Sequence, residues 1–437
     1  MAEIDSDGRL IRLIRRATKI ESHELAPTIL SFVFVFVLMT AYFILRPVRD
    51  ALSSDWSDEQ LSWLWTSTFF ISIIAVSIIA VSIYGAVISR IRFKIIVPSV
   101  YAFFAATFVA FYILGSTLGD NDLVNRAFYV WLSVFSLYHL SVFWTFMSGL
   151  YNKEQAKRLF SVIAMGASAG AIVGPAIPTF FVESIGALNL LLIAAALLLV
   201  PIPIIAKLEH FRISHLDTGD IQADLSREQQ LGSNPFAGFV KFVSNPYLLA
   251  IGVFIVLYVF MNTTIYFELR KMLGDLDREV RTQVWGGIDL AVNSLALITA
   301  LFVTGRLATR VGMSATLALI PVLMVGGWLV VALSPVLAVL VGLQVVRRAG
   351  NYAITRPGRE MLFTAVDTET RFKAKPVIDI VVYRGGDVGT AWLYTALSST
   401  LGIGLAGIAV FAAGVAAVWA AAGMFLGRAY DRVSEED

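Results

Sequence analysis

Cysteine is absent from the 437-residue chain, and histidine occurs only at His23, His139, His210 and His215. The first absence excludes disulfides, thiolate metal sites and cysteine nucleophiles, and the second leaves little for an imidazole metal centre. Charge is scarce: Asp, Glu, Lys and Arg make up 15% of the residues, against about 25% in an ordinary soluble domain. Net charge is +2, so no global basic excess argues for nucleic acid. Residues 1–28 are polar and charged, without the short apolar core and small-residue cleavage site of a secretory signal. No GxxxxGK[ST] loop occurs, so the phosphate cradle of an ATPase is missing. With no metal cluster, nucleophile–base pair or phosphate loop, an enzyme is the least favoured class, and no cofactor is expected.

Apolar residues are what the chain has in excess. They make up 57% of it, and the mean hydropathy is +0.76. The composition is that of an all-α polytopic membrane protein. A span needs about 20 apolar residues, and twelve such stretches are predicted. The first six are 28–45, 63–88, 95–115, 127–149, 160–182 and 186–206; the second six are 247–267, 283–304, 313–333, 336–355, 376–400 and 403–426. The expected organisation is a basic leader (1–27), a six-helix bundle (28–206), a polar linker (207–246), a second bundle (247–426) and a tail (427–437). The linker is too short and too poor in apolar residues for a core of its own. The leader, with Arg9, Arg12, Arg15 and Arg16, is either a solvated segment that fixes orientation or a short helix lying on the membrane surface.

With the N-terminus cytoplasmic, 24 of the 34 Lys and Arg fall in inner segments, 7 in outer ones, and Arg347, Arg348 and Arg384 inside spans. This asymmetry predicts both termini on the cytoplasmic side; the compact N-terminus, read without a transit peptide, points to a bacterial inner membrane rather than an organelle. The halves read as distant repeats. GAVISRIRFK (85–94) between spans two and three matches GRLATRVG (305–312) between spans eight and nine; NKEQAKRLF (152–160) before span five matches TETRFKAK (368–375) before span eleven. A six-plus-six layout with Gly-to-basic loops at matched places is similar to the major facilitator architecture.

Polar residues inside such a protein are expensive, so those present are candidates for the solute path. The richest stretch is 347–389, with eight basic and five acidic residues. Arg347, Arg348, Asn351 and Tyr352 fall in span ten, with Arg359 and Glu360 at its inner end. Helical spacing puts Arg348, Asn351, Tyr352 and Arg359 on one side. There an arginine can grip phosphate bidentately and Tyr352 can stack on a planar ring. The competing reading is charge compensation by Asp379 or Asp387 on span eleven. On that span Arg384 and Asp387 sit three apart and can pair, beside Gly385, Gly386 and Gly389. Lys373 and Lys375 precede it.

In the first half, Arg46, Pro47, Arg49 and Asp50 close span one. Pro47 is expected to break or kink the helix; if the helix resumes, Arg46 and Arg49 share a face and cradle an anion, or they snorkel to headgroups. At the inner end of span four, Glu154 with Lys157 or Arg158 reads either as a gate of breakable ion pairs or as an ordinary basic loop. Asp50, Arg359, Glu360, Asp379 and Asp387 are gating or ion-pair candidates of the same kind. GASAGAIVG (166–174) reads as helix packing, and His139 as hydrogen-bonded structure or a proton site.

With these residues in view, the chain resembles the ATP/ADP translocases of plastids and intracellular bacteria. The resemblance lies in Ile44-Leu45-Arg46-Pro47-Val48-Arg49-Asp50-Ala51-Leu52 and in Phe143-Trp144-Thr145-Phe146 followed by Glu154-Gln155-Ala156-Lys157-Arg158-Leu159-Phe160. It continues in Asn351-Tyr352 through Arg359-Glu360-Met361 and in Lys373-Ala374-Lys375-Pro376-Val377-Ile378-Asp379. It implies a major facilitator-like fold that exchanges nucleotides without hydrolysing them. Arg49 stands where the family has a transport-essential cation, there Lys, and Lys373 or Lys375 near another. The family's acidic residue in span four has no counterpart, since 131–138 is uncharged. The expected activity is alternating-access antiport of a nucleotide-like anion. The expected partners are the lipid bilayer and a small anionic solute such as ATP or ADP. A proton- or sodium-coupled carrier of another organic anion, and a non-transporting sensor or assembly partner, remain open.

Overall fold

In the computed structural model, residues 21–89, 93–215, 237–304 and 312–436 are described. The basic leader (9–16), the loop cations Arg90, Arg92, Arg306 and Arg310 and the middle of the linker lie outside them. Everything described is helix or short turn. The helices are α1 (Leu25–Leu52), α2 (Asp58–Ser89), α3 (Phe93–Leu118), α4 (Asp122–Leu150), α5 (Lys153–Ile185), α6 (Asn189–Leu199), α7 (Pro201–His215), α8 (Ala237–Ser244), α9 (Pro246–Leu273), α10 (Arg278–Thr299), α11 (Met313–Leu333), α12 (Leu337–Gly350), α13 (Arg356–Leu362), α14 (Thr368–Pro376), α15 (Tyr383–Thr395) and α16 (Leu405–Glu436). The pairs α6–α7, α12–α13 and α14–α15 each run on as one rod, so that, the eight-residue α8 aside, twelve rods stand among the described residues where twelve spans are expected. Nine of them are long and apolar enough to cross a membrane by length and composition. Neither broken rod of the second half (α12–α13, α14–α15) is among the nine. Both are interrupted by π-helical turns, at Asn351–Thr355 and Val377–Val382.

Local chemistry sets the boundaries. The Asn121 side chain accepts from the Leu123 and Val124 amides to start α4. Asn152 and Gln155 form a reciprocal capping box on α5. Asn245 followed by Pro246 opens α9. Pro47 does not break α1, which runs through it to Leu52. A buried rod packed on its neighbours tolerates the missing hydrogen bond that would end an isolated helix.

The chain divides into two compact units: Met1–Arg49 with Ser72–Gln230, and Asp50–Ile71 with Leu231–Asp437. In unit 1, α3 packs along α6 and α7. There α5 lies against α1 through Gly166, Gly170 and Gly174: an added Cβ would meet the Phe32 carbonyl at 2.5 Å, run into that of Phe36, and meet that of Thr40 at 2.8 Å. The glycine run is thus a helix-packing seam, as its spacing suggests. In unit 2, α11 packs along α16, α9 against α15 and α16, and α10 against α12. The third and sixth rods of each half pair with one another, and so do the first and fifth, which is the contact pattern of a repeated six-helix plan.

Candidate solute-binding site

Unit 2 gathers the arginines of the second half. Arg347, on the last turn of α12, is completely buried. Its guanidinium donates to the Tyr258 hydroxyl (3.2 Å), the Asn262 amide oxygen (2.8 Å) and the Gln344 amide oxygen (2.8 Å), and lies 5.5 Å from the Tyr258 ring centre. Its Nε finds no acceptor. Among the described residues no carboxylate lies within ion-pair distance of Arg347, so neutral groups alone hold its charge. Arg348 differs: its Nη1 is 2.6 Å from Asp289 Oδ1 on α10, and both side chains are buried. The countercharge thus comes from span eight, not from Asp379 or Asp387.

Tyr258 also meets Tyr383, ring centre to ring centre at 6.2 Å, and so links Arg347 to the start of α15. There Arg384, 30% exposed, faces Asp387 at 3.7 Å, a long ion pair on one helical face, as its spacing predicts. The other carboxylate oxygen of Asp387 has no hydrogen-bond partner. Tyr352 lies within electrostatic range of Tyr383 and is 37% exposed. A Cβ added at Gly385 or Gly389 would touch nothing within 4 Å, whereas Gly386 abuts Val259. The result is a cluster of two guanidiniums, three tyrosines and amides beside an open glycine face. Asn351 is half-buried in the π turn that follows α12. That turn widens the backbone by a residue between Asn351 and Arg359, so regular spacing does not carry the face of Arg348 through to Arg359.

Lys375, Arg359, Glu360 and Asp379 belong to a second cluster. Arg359 Nη2 meets Glu360 at 3.0 Å and Asp379 at 3.3 Å, and Lys375 Nζ meets them at 3.0 and 3.2 Å. Two positive and two negative charges close a ring. Burial pushes the Glu360 carboxyl up, but hydrogen bonds and charge from Arg359 and Lys375 outweigh it and hold the group below its ordinary range. Burial lowers Lys375, and Glu360 with Asp379 more than restores it, leaving it above its ordinary value. The structure therefore separates Lys375 from the arginines of the first cluster. Lys373 lies on the same helix, where α8 packs so closely that a Cβ on Gly238 would strike the Lys373 carbonyl.

In unit 1, Arg49 donates to the Ser133 hydroxyl at 3.3 Å and lies 5.4 Å from the Tyr129 ring centre. Arg46 lies 5.8 Å from the Phe43 ring. His139 is buried between Tyr42 and Phe135, each 4.9 Å away, and its Nδ1–H donates to the Phe135 carbonyl. Arg158 does not pair with Glu154. Its two terminal nitrogens reach both oxygens of Glu24, at 3.0 and 2.8 Å, while Glu154 and Lys157 are exposed. Glu24 is buried, and an unpaired buried carboxylate costs more than an exposed pair on a helix returns.

Of a third cluster the sequence singled out only Asp50. In unit 2, Asp50 accepts from the Tyr266 hydroxyl. Asp58 pairs with Arg270, meets Lys271 at 2.8 Å and accepts from the Ser399 hydroxyl. Arg270 also donates to the Ser53 and Trp56 carbonyls. Glu268 accepts from Tyr394, and Asp55 pairs with Arg278 and Arg281. The one local hint was four cations (Arg270, Lys271, Arg278 and Arg281) at the ends of spans seven and eight, on the side assigned few.

Residues 31–355 match the Major Facilitator Superfamily. The match spans most of the chain, and the chain belongs to that superfamily of membrane transporters. No curated protein sequence matches it. Among solved structures it is similar to the nucleoside transporter NupG (15% identity, TM-score 0.64, 93% of this chain and 99% of that one). It is also similar to a bacterial homologue of the human lysosomal transporter Spinster (13%, 0.57, 94% and 97%) and to a bacterial metal transporter (12%, 0.55, 95% and 99%). At these identities the likeness is one of fold.

Proposed function

We propose that this transporter carries a small organic anion with a planar ring, a nucleotide such as ATP or ADP being the leading solute, by alternating-access exchange. Arg347 carries this reading. A fully buried guanidinium offset by no carboxylate is costly in a low-dielectric interior, and an anionic solute supplies the missing charge. Arg347 is enclosed in the described state, so the part-exposed Arg384 is the cation a solute meets first. Tyr352 offers a ring face, and the open side of Gly385 and Gly389 lets a ligand approach the backbone. In unit 1, taken by itself, Arg46 and Arg49 are two further cations with which an anion can pair. The resemblance of 44–52, 154–160 and 351–379 to ATP/ADP translocases favours a nucleotide over other anions. The arrangement proposed around this site is two six-helix bundles, 28–206 and 247–426, in a bacterial inner membrane, with both termini cytoplasmic on the distribution of Lys and Arg.

The test is uptake of radiolabelled ATP by proteoliposomes, with and without internal ADP. Saturable uptake that needs internal nucleotide is expected. Arg347→Gln should lower it about 10- to 150-fold, the equivalent of losing a charged hydrogen bond worth about 1.5–3 kcal/mol. Uptake unchanged in Arg347→Gln would overturn the site, and no ATP uptake by folded protein would overturn the nucleotide assignment. Uptake driven by a proton or sodium gradient alone would point to ion-coupled transport.

A further inference from the structure

The Asp387 carboxylate sits at the edge of the site with one oxygen 3.7 Å from Arg384 and the other without a partner. Among the described residues its surroundings offer no second cation. On α15 the neighbours are Arg384 and the phenol of Tyr383. From α9 come Tyr258, Asn262, and Thr263 hydrogen-bonded to Thr390. Asp379, in the π turn before α15, is held by Arg359 and Lys375. Glu268, further along α9, is held by Tyr394. Arg347 lies behind Tyr258 and is engaged by three neutral oxygens.

Arg348 with Asp289 is neutral, Arg384 with Asp387 is neutral, and Arg347 leaves one positive charge. A solute oxyanion meets the part-exposed Arg384 first, since Arg347 is enclosed, and taking Arg384 leaves Asp387 as a buried carboxylate beside an anion, with no cation of its own among the described residues. Like charges in a poorly solvated site favour the protonated acid.

Resting on the anion reading above, we infer that Asp387 is a proton-binding site linked to the solute: an oxyanion of the solute captures Arg384, and Asp387 takes up one proton from water as it does so. The guanidinium exchanges one carboxylate partner for an oxyanion of the solute, the Asp387 carboxylate becomes a carboxylic acid, and the added charge is one negative and one positive. Transport of such a solute then moves a proton with it, and exchange of ATP for ADP carries a proton in each direction.

The measurement is calorimetric titration of the purified full-length protein with ADP at pH 7.5, in two buffers of different ionisation heat. Wild type should take up close to one proton more per ADP than Asp387→Asn, which mimics the protonated acid and still binds. Between pH 7 and 8.5 wild-type affinity should fall more steeply than that of Asp387→Asn, by up to about tenfold per pH unit. Asp387→Glu, which keeps an ionisable group, should retain the uptake. Equal proton uptake in wild type and Asp387→Asn would overturn the linkage and leave the anion reading standing. Absence of binding of both ADP and pyrophosphate to wild type and variants that unfold cooperatively would overturn the anion reading and the linkage with it.

Discussion

Replacing Asp58 by Asn removes the negative centre of the cluster that ties residues 50–58 to α9, and the structure bounds the cost. Asp58 and Arg270 are both buried, and Lys271 Nζ reaches the second oxygen of Asp58 at 2.8 Å. Breaking a buried ion pair from one side costs about 3–5 kcal/mol, because the remaining charge is stranded. Here the stranding is incomplete. Arg270 keeps the Trp56 carbonyl at 2.6 Å and the Ser53 carbonyl at 3.3 Å, and Lys271 keeps Ser398 and Tyr394. The expectation is therefore about 2–3 kcal/mol, at or just below the bottom of that range. For a cooperative unit of about 200 residues this is a fall in Tm of about 5 °C, readable by thermal unfolding in detergent. Arg270→Met should cost as much or more, since Asp58 then keeps only Lys271 and Ser399. The double variant should be less damaged than the sum of the singles, because each change removes the charge that strands the other. An Asp58→Asn variant that melts within 1 °C of wild type, or strict additivity in the double, would refute the reasoning.

Arg158→Gln strands the buried Glu24 carboxylate and should lower Tm measurably, whereas Glu154→Gln, at an exposed position, should be silent in the same melts. Gly170→Ala drives a methyl into the Phe36 carbonyl and should destabilise unit 1, while Gly385→Ala meets nothing in the protein and should leave Tm unchanged but weaken solute binding if a ligand packs there. The Glu360–Lys375 ring gives a pH dependence with a definite sign. Glu360 is lowered in the fold, so its contribution is present above the ordinary carboxylate value of 4.5 and is lost as pH falls through the lowered one. Lys375 is raised, so its contribution is present below 10.5 and is lost only as pH rises through the raised value. Melts from pH 3 to 9 should show an acid limb that Glu360→Gln reduces; an unchanged limb would place the acid sensitivity elsewhere.

The fold was largely legible because a membrane span announces itself locally: about 20 apolar residues in a row, bounded by polar ends. The site was legible only where its partners are close in sequence. Arg384 and Asp387, three residues apart, pair as their spacing suggests. Arg158 and Glu24 are separated by 134 residues and Arg270 and Asp58 by 212. Nothing local distinguishes those pairings from any other choice of opposite charges, and the nearer candidate Glu154 was wrong because burial, invisible in the sequence, decides which carboxylate must be neutralised. The register of span ten failed for a different reason. A π turn changes the residues per turn without changing composition, so Arg348, Asn351, Tyr352 and Arg359 could not be placed by a regular period.

Those π turns also separate the two units in kind. Among the described residues they occur at Ala300–Thr304, Asn351–Thr355, Val377–Val382 and Ala396–Thr400, all in unit 2. One follows Arg347 and Arg348 directly, and another ends where Tyr383 and Arg384 begin. Wide turns of this type are rare and recur at functional sites. In unit 1 the helix that corresponds to α14–α15 is α5, a single regular rod seated on α1 by three glycines at four-residue spacing. A rod held that way has few alternative positions, since any rotation drives backbone into backbone. A rod interrupted on both sides of Arg384 can turn its middle segment while its ends stay packed. The two units thus share a contact plan and differ in stiffness: the glycine seam of unit 1 holds its rod in one position, and the interrupted rods of unit 2 carry Arg347, Arg348 and Arg384.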